Sequence, residues 1–354
     1  MYYVNENIKN LYRVKFHDER KDYLRLDMNE NPEGLPADFV EEIKKKITPE
    51  FIASYPEKDR LAKLLSEHNN IPAECISITC GSDEAMRLIF QCFGEQGKEL
   101  LTVTPTFEMY DVYSKMFGMG HVMAEYNEDY SLSVDKALDL ITENTGLVIL
   151  LNPNSPIGAC WNDADARAII EKAASVGAVT VVDEAYHYFY PKTFIKYAFN
   201  SKHILVTRTF SKLFSMAGCR LGYVVGHPDE IKMVQKLCTP HNTNAFAMLI
   251  AEKILEAPGI LTYLIENYNL GRDYLVKELD THGYLHKGDA GNFIFIKPKT
   301  DAVSIVDKMK SEKQILIKSY SNVGNFGTCL RVTIGARQYM ERFLDALFEL
   351  DNIN

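Results

Sequence analysis

Short apolar runs alternate with segments of helical periodicity between about residues 57 and 256. The apolar runs are continuous rather than alternating, which is typical of strands buried on both faces of a parallel sheet. They cover residues 75–79, 99–104, 147–152, 178–182, 203–207 and 222–226. Helical spacing lies between them, as in residues 60–68, 164–175 and 229–237. This alternation predicts an α/β fold with a mostly parallel sheet between helices.

The remainder of the chain has a different pattern. Residues 260–282 have helical spacing, and residues 337–350 predict a closing helix. Strands are expected at residues 292–297, 316–318 and 330–334. We therefore predict a large domain over residues 45–250 and a smaller α+β domain formed by residues 1–44 and 251–354.

Composition narrows the class of protein. The 354 residues contain 39 Lys plus Arg against 48 Asp plus Glu, for a formal charge of −9, which disfavours a nucleic-acid binder. The apolar run at residues 147–151 is too short to cross a membrane, and the polar N-terminus is unlike a signal peptide. Seven cysteines without a C-x-x-C pair predict buried free thiols, no metal site and a cytoplasmic location.

Chemically useful residues follow five of the predicted strands. In open α/β sheets, ligands bind beyond the carboxyl ends of the strands. The segments at these ends are Gly81-Ser82-Asp83-Glu84, Pro105-Thr106-Phe107, Pro153-Asn154-Ser155-Pro156, Asp183-Glu184-Ala185-Tyr186 and Arg208-Thr209-Phe210-Ser211-Lys212. Five such ends on one edge predict a binding site there.

Each residue also has an ordinary structural explanation. Ser82 or Asp83 can cap a helix, Phe107 can lie in the core, and Lys212 can be a solvated surface lysine. Together, however, a lysine amid apolar residues, a carboxylate, an aromatic ring and a phosphate-type turn fit one cofactor best, pyridoxal phosphate. Lysine binds it covalently, the carboxylate keeps its ring nitrogen protonated, and the turn holds its phosphate.

These residues match a known family. The chain resembles the fold-type I pyridoxal-phosphate aminotransferases, in the branch that contains histidinol-phosphate aminotransferase and threonine-phosphate decarboxylase. The resemblance runs from Leu26-Asp27-Met28-Asn29-Glu30-Asn31-Pro32 to Leu330-Arg331-Val332-Thr333-Ile334-Gly335. It includes Asp183-x-x-Tyr186 and Ser211-Lys212 with Arg220 eight residues on. It implies a large domain with a seven-stranded, mostly parallel sheet and a smaller α+β domain.

The resemblance also implies roles for individual residues. Lys212 would bind the cofactor and carry a proton, Asp183 would pair with the ring nitrogen, Tyr186 would bond the ring hydroxyl, and Phe107 would stack on the ring. The other implied cofactor contacts are Gly81, Ser82, Asp83, Asn154, Ser155, Thr209, Ser211 and Arg220. The implied substrate contacts are Arg331, Lys318, Asn29 and Tyr12. Tyr55 would reach the phosphate of a neighbouring subunit, which implies a homodimer with shared active sites.

Three positions depart from the family pattern. Ser155 stands where the family has an asparagine that bonds the ring hydroxyl, and Lys318 stands where aminotransferases have an arginine. The early Pro-Tyr is absent, and Tyr12 is the candidate to replace it. Lysine remains an anion partner but lacks the bidentate fork of arginine. These departures bear on the substrate more than on the cofactor.

The expected function is transamination between glutamate and a phosphorylated or aromatic keto or aldehyde substrate. The same residues would serve the alternative, a decarboxylase of a phosphorylated amino acid. A third possibility is a protein that keeps the cofactor fold as a binding or regulatory module without turnover. The retention of Lys212, Asp183, Tyr186, Arg220 and Arg331 in one chain argues against this third possibility.

Overall fold

The strands are short and fall into three sheets. The computed structural model describes residues 2–9, 11, 20–288, 290–323 and 326–351. Its strands are β1 Leu24–Arg25, β2 Ile76–Thr79, β3 Glu99–Thr104, β4 Gly120–Glu125, β5 Thr145–Leu151, β6 Val179–Asp183, β7 Ile204–Thr209, β8 Gly222–Gly226, β9 Leu285–Lys287, β10 Phe293–Lys297, β11 Ile315–Leu316, β12 Lys318–Val323 and β13 Gly327–Thr333.

Helices occupy most of the chain between the strands. They are α1 Glu6–Lys9, α2 Ala37–Lys44, α3 Pro49–Ala53, α4 Asp59–Asn69, α5 Gly81–Phe93, α6 Met109–Met116, α7 Val134–Asp139, α8 Asp163–Ser175, α9 Ile195–Asn200, α10 Pro228–Leu237, α11 Ala245–Glu256, α12 Pro258–Thr281, α13 Ala302–Lys313 and α14 Arg337–Leu350. Several helices begin at a side-chain cap. The side-chain oxygens of Asn162, Asn244 and Asp301 each accept a hydrogen bond from the backbone N–H three residues further along the chain.

The large sheet has seven strands in the order β2-β8-β7-β6-β5-β3-β4. The five strands β7, β6, β5, β3 and β4 are parallel to one another, and β8 is antiparallel to both β7 and β2. This confirms the expected α/β fold with a mostly parallel sheet. The apolar pattern missed β4, because this edge strand is largely exposed and carries polar residues in its Gly120–Glu125 sequence.

Helices cover both faces of the large sheet. Alternate residues of β5 show this, since Val148 and Leu150 join the core on one face while Leu147 and Ile149 join the core on the other. Each buried side chain of this size stabilises the fold by about 1.5–3 kcal/mol relative to exposure. Two buried faces explain why the strands read as continuous apolar runs.

The smaller sheet is antiparallel, in the order β12-β13-β10-β9, and a short parallel pair joins β1 to β11. Its separate core includes Leu26, Leu275, Val332 and Phe343. The strands predicted at residues 292–297 and 330–334 and the closing helix are present. The strand predicted at residues 316–318 instead spans the end of β11 and the start of β12, and β9 is an addition. The domain limits at residues 45 and 250 stay a prediction. Residue 250 lies within α11, whose buried side chains join the core of the large sheet.

Among the described residues, no helix is long and apolar enough to span a membrane, and no three His, Cys, Asp or Glu side chains group as a metal site. All seven cysteines are free thiols, but only Cys75 and Cys329 are buried. The prediction of buried thiols is therefore wrong for the other five, which are partly exposed at the ends and faces of helices and turns.

Candidate active site

A cavity of about 320 Å³ opens at the carboxyl ends of β5, β6 and β7, beside the N-terminus of α5. It is lined by Met28, Glu30, Ser82, Asp83, Phe107, Leu151, Asp183, Ala185, Tyr186, Thr209, Ser211, Lys212, Ala217, Gly218 and Arg220. Most residues predicted at the strand ends therefore meet in one place. A larger cavity of about 600 Å³ lies at the edge strand β2 and contains none of the predicted residues.

Lys212 places an amine in this cavity. Its side chain is partly buried, and Nζ donates a 3.2 Å hydrogen bond to the carbonyl oxygen of Met28. Nζ also lies 5.7 Å from the centre of the Tyr186 ring. The turn that carries Lys212 follows β7 directly, so the sheet fixes its position, and the segment around Met28 approaches it from the smaller domain.

Asp183 is a buried carboxylate at the end of β6. Burial raises the pKa of this carboxyl, and the hydrogen bond from Tyr110 partly offsets that rise. The Tyr110 hydroxyl donates to Oδ2 at 2.8 Å, and the backbone N–H of Ala185 donates to Oδ1 at 3.1 Å. A carboxylate held by two donors in a buried position is suited to pair with a cationic ring nitrogen.

Several polar groups form a cradle at the start of α5. Arg220 pairs with Asp83 at 2.7 Å and donates to the Ser211 hydroxyl at 3.4 Å. A Cβ on Gly222 would lie 2.8 Å from the backbone nitrogen of Ser82, so the glycine permits the close approach of strand β8 to this helix end. Free N–H groups of a helix N-terminus beside a guanidinium are suited to bind a phosphate.

The remaining members of the predicted cradle lie around this helix end. Gly81 has a φ of +79° and lies close to the Arg220 side chain. A Cβ added at this position would be only 3.0 Å from Nη2 of the guanidinium. The Thr209 hydroxyl donates to the Ser211 hydroxyl at 3.0 Å. Thr209, Ser211 and Arg220 line the cavity, and Gly81 adjoins it through Arg220.

Asn154 and Ser155 do not line the cavity. The Asn154 amide donates to the carbonyl oxygen of Pro105 at 3.0 Å and to the Tyr126 hydroxyl, and its oxygen accepts from Thr106 at 2.7 Å. These hydrogen bonds engage both the nitrogen and the oxygen of the Asn154 side-chain amide with neighbouring protein groups. Ser155 is buried, and none of the hydrogen bonds between described residues involves its hydroxyl.

Two cationic side chains lie on the small sheet, and one of them, Arg331, bonds Asp27, the neighbour of the cavity residue Met28. Lys318 and Arg331 are directly opposite each other in the β12–β13 pair. Arg331 is only 5% exposed; Nη2 donates to the carbonyl oxygen of Asp27, and Nε is buried without a partner among the described residues. Burial and the neighbouring Arg331 lower the pKa of Lys318. Two such cations and an unused N–H favour an anionic ligand.

The other predicted contacts lie elsewhere. The amide of Asn29 donates to the Tyr186 hydroxyl at 2.8 Å, and Asn29 is not among the residues that line the cavity. Tyr55 is 79% exposed and stacks on His241 with ring centres 4.4 Å apart. Tyr12 lies outside the described residues.

Sequence reasoning missed several contributors, among them Met28, Glu30 and Tyr110. Tyr110 had a usable signal, since it lies only three residues after Phe107, in the first turn of α6, and the two rings pack edge to face with centres 5.5 Å apart. Met28 contributes a backbone carbonyl, which no residue pattern reveals. Glu30 sits in the same segment and reaches the cavity only because that segment crosses between the two domains.

Comparison with known proteins agrees with this geometry. The family model described as "Aminotransferase class I and II" matches residues 21–347. The histidinol-phosphate aminotransferase of Caldanaerobacter subterraneus subsp. tengcongensis is 30% identical over 351 residues, covering 98% of each chain. That of Thermoanaerobacter pseudethanolicus is 31% identical over 351 residues, with the same coverage.

A solved structure shares the fold. Histidinol-phosphate aminotransferase from Sinorhizobium meliloti, in complex with pyridoxal-5'-phosphate, superposes with a TM-score of 0.84 at 22% identity, covering 93% of this chain and 90% of that one. The family match spans nearly the whole chain and both domains. The chain belongs to the class I and II aminotransferase family.

Proposed function

We propose that this chain is a pyridoxal-phosphate-dependent aminotransferase of the histidinol-phosphate aminotransferase type. It would move an amino group between glutamate and a phosphorylated or aromatic keto or aldehyde substrate. The observation that carries the proposal is the meeting of the Lys212 amine, the buried Asp183 carboxylate and the Arg220 cradle in one cavity. Family membership and relatives at 30–31% identity support the same reaction class.

The residues fit the cofactor. When bound, pyridoxal phosphate would supply an electron-accepting ring that stabilises negative charge developing at the substrate Cα. Asp183 would hold a proton on the ring nitrogen, since its carboxylate is buried and already held by two donors. The α5 N-terminus with Ser82, Thr209, Ser211 and Arg220 would hold the phosphate. Phe107, which is 38% exposed at the cavity wall, would cover one ring face.

Lys212 would act as the general base and acid of the reaction. Its Nζ is on the cavity wall, within reach of the Met28 carbonyl, and has no carboxylate partner among the described residues. As general base the Lys212 amine would remove the proton from the substrate Cα, and as general acid it would later give a proton back. The same side chain would thus serve both half-reactions.

Arg331 and Lys318 would hold the anionic group of each substrate in turn. The donor brings a carboxylate and the acceptor brings a phosphate or carboxylate, so one site must accept both. The buried, unpartnered Nε of Arg331 supports this role. Tyr320, whose ring lies 5.6 Å from the guanidinium carbon, would hold Arg331 in place.

We also propose a cytoplasmic homodimer with shared active sites. Tyr55 supports the dimer, because an aromatic ring that is 79% exposed gains by burial against a second chain. In this arrangement Tyr55 would reach the cofactor phosphate of the partner subunit. Free thiols at all seven cysteines support a reducing compartment.

The test uses the purified protein loaded with pyridoxal phosphate. Excess L-glutamate alone should remove the visible absorbance of the bound cofactor and release 2-oxoglutarate, and the K212A variant should do neither. Histidinol phosphate should produce the same spectral change. Carbon dioxide released from O-phospho-L-threonine without any response to glutamate would instead identify the decarboxylase. No response to any amine would identify a non-catalytic binding protein.

A further inference from the structure

Asn29 has an unusual backbone conformation that a dense set of hydrogen bonds maintains. Its φ is +58°, in the left-handed region, and it is only 3% exposed. Its N–H donates to the Thr333 hydroxyl at 3.0 Å, and its carbonyl oxygen accepts from Asn292 at 3.0 Å. Asparagine tolerates this region better than most residues. The smaller domain therefore holds Asn29 rigidly from both sides.

The side chain of Asn29 extends from this anchor to Tyr186. The Thr333 hydroxyl donates to Oδ1 at 3.4 Å, and Nδ2 donates to the Tyr186 hydroxyl oxygen at 2.8 Å. Since the Thr333 oxygen already accepts the Asn29 backbone N–H, its own hydrogen is available for Oδ1. This pattern orients the amide so that its NH₂ group faces Tyr186.

The hydrogen bond from Asn29 determines which hydrogen bonds the Tyr186 hydroxyl can still form. A tyrosine hydroxyl has one hydrogen to donate and oxygen lone pairs to accept with. Because Asn29 occupies a lone pair, the hydrogen of Tyr186 is directed elsewhere, and no other hydrogen bond between described residues uses it. Tyr186 lines the cavity, so this hydrogen is available to a ligand there.

No neighbouring amide offers a second donor to the same ligand atom. The amide of Asn154 is used by Pro105, Thr106 and Tyr126, and Ser155 has only a short hydroxyl away from the cavity wall. Tyr186 is thus the donor best placed to bond the hydroxyl oxygen of the cofactor ring. Its orientation matters more than it would if an asparagine stood at position 155.

We propose that Asn29 is a positioning residue, which turns the Tyr186 hydroxyl into a hydrogen-bond donor toward the ring oxygen of the cofactor. This inference rests on the proposed pyridoxal-phosphate function. The sequence-based expectation that Asn29 contacts the substrate stays a separate prediction. A donated hydrogen bond stabilises negative charge on the ring oxygen, and that charge is larger when the bound chromophore has lost its proton.

The decisive variant is Asn29→Asp, which keeps the shape and the left-handed backbone but replaces the donor by an acceptor. The Tyr186 hydrogen would then turn toward Asp at position 29 and away from the cofactor. We expect the pH midpoint of the visible absorbance of the bound cofactor to rise by about one unit. Tyr186→Phe should shift the midpoint in the same direction.

The double variant N29D/Y186F separates positioning from simple charge. If Asn29 acts through Tyr186, the double variant should match Y186F alone. If the carboxylate acts only by its charge, the N29D shift would persist in full in the Y186F background, which would overturn the proposal. The control N31A changes the same segment, at a residue that bonds Ser215 rather than Tyr186, and should leave the midpoint unchanged.

The outcome also distinguishes this proposal from the proposed function. If the wild-type protein shows no visible band with pyridoxal phosphate, the proposed function fails first. If the wild type titrates normally and N29D titrates at the same pH, only the positioning role is overturned. Should N29D fail to fold, N29G decides, because glycine keeps the backbone conformation: a shift upward supports the proposal, and no shift overturns it.

Discussion

The Tyr110 hydroxyl donates a 2.8 Å hydrogen bond to Oδ2 of Asp183, and both side chains are buried. Burial raises the pKa of Tyr110 well above its usual range, and the nearby Asp183 raises it further. The tyrosine therefore keeps its proton and remains a donor at every working pH. This bond stabilises the ionised form of Asp183, which burial alone would disfavour.

Removing the Tyr110 hydroxyl should disfavour the ionised form of Asp183. In Y110F the pKa of Asp183 should rise further, so the acidic limb of the pH–activity profile should move to higher pH. A lost hydrogen bond to a charged group is worth about 1.5–3 kcal/mol, or roughly ten- to a hundredfold in cofactor affinity. The measurement is the pH dependence of kcat/KM together with cofactor titration.

A matched control exists in the smaller domain. The Tyr284 hydroxyl also donates to a buried carboxylate, Oδ2 of Asp351, at 2.9 Å. Y284F removes the same type of bond, so it should lower the melting temperature without moving the pH profile. An unchanged profile in Y110F would show that the Tyr110 bond has no effect on the active site.

The strand ends of the large sheet were predictable because a parallel sheet brings them to one edge. Asp183, Tyr186 and Lys212 were found in this way, each at a point where a buried apolar run ends. The bond between Asn29 and Tyr186 was not predictable, since the two residues are 157 positions apart and meet only through the packing of two domains. The residue type at position 29 does not indicate that Tyr186 is its partner.

Two other limits of the sequence have local causes. β4 lacks a continuous apolar run because it is the edge strand of its sheet. Asn154 is expected to contact the cofactor, and this contact stays a prediction; in the structure its amide bonds the carbonyl oxygen of Pro105. A polar side chain after a strand can bond either a ligand or its own turn, and sequence alone does not distinguish the two.

Lys318 should make substrate affinity depend on pH in the alkaline range. Burial, and then the charge of Arg331, lower its pKa, while Glu108 and Asp27 oppose the shift and Arg20 adds to it. Lys318 therefore loses its positive charge at a lower pH than an ordinary lysine. We expect the KM for L-glutamate to rise as pH increases through that lowered pKa.

Two variants check the cause. K318R should keep KM flat over the same pH range, because a guanidinium stays protonated. K318M should raise KM about tenfold or more at neutral pH, since a charge-assisted bond to the carboxylate is lost. The surface variant K44M should behave as the wild type. A KM that rises with pH equally in wild type and K318R would assign the effect to another group.

Gly222 should not tolerate a side chain. A Cβ there would lie 2.7 Å from the carbonyl oxygen of Arg208 and 2.8 Å from the backbone nitrogen of Ser82. G222A should displace the start of α5, lower the unfolding free energy by about 1–3 kcal/mol and reduce cofactor retention. G259A, where a Cβ meets nothing within 4 Å, is the control for unfolding and cofactor titrations. Normal retention in G222A would contradict the cradle geometry.

The buried pair of Glu184 and Arg208 should dominate stability next to the site. Glu184 Oε2 accepts from Arg208 Nε at 3.0 Å and Nη2 at 2.8 Å, and both side chains are buried. R208M leaves a buried carboxylate without its cation and should cost about 3–5 kcal/mol by urea unfolding. D229A breaks the exposed pair with Lys202 and should cost less than about 1 kcal/mol. Similar costs for the two variants would contradict this account.

Mixing two inactive variants tests the shared active site directly. K212A lacks the amine, and Y55A lacks the exposed ring proposed to reach the partner subunit. If Tyr55 completes the site of the other chain, a mixed dimer has one site with both defects and one intact site. Random reassociation should then restore up to about a quarter of wild-type activity, because half of the dimers are mixed.

The result depends on which chain Tyr55 serves. If Tyr55 acts within its own subunit, every site in the mixture retains one defect, and activity should stay at the sum of the two separate variants. The control is a mixture of K212A with K212M, which cannot form an intact site in either arrangement. Sedimentation of each variant must first show a dimer, since Y55A also removes apolar surface from the proposed interface. Recovery only in the K212A and Y55A mixture would place the partner's Tyr55 at the cofactor phosphate.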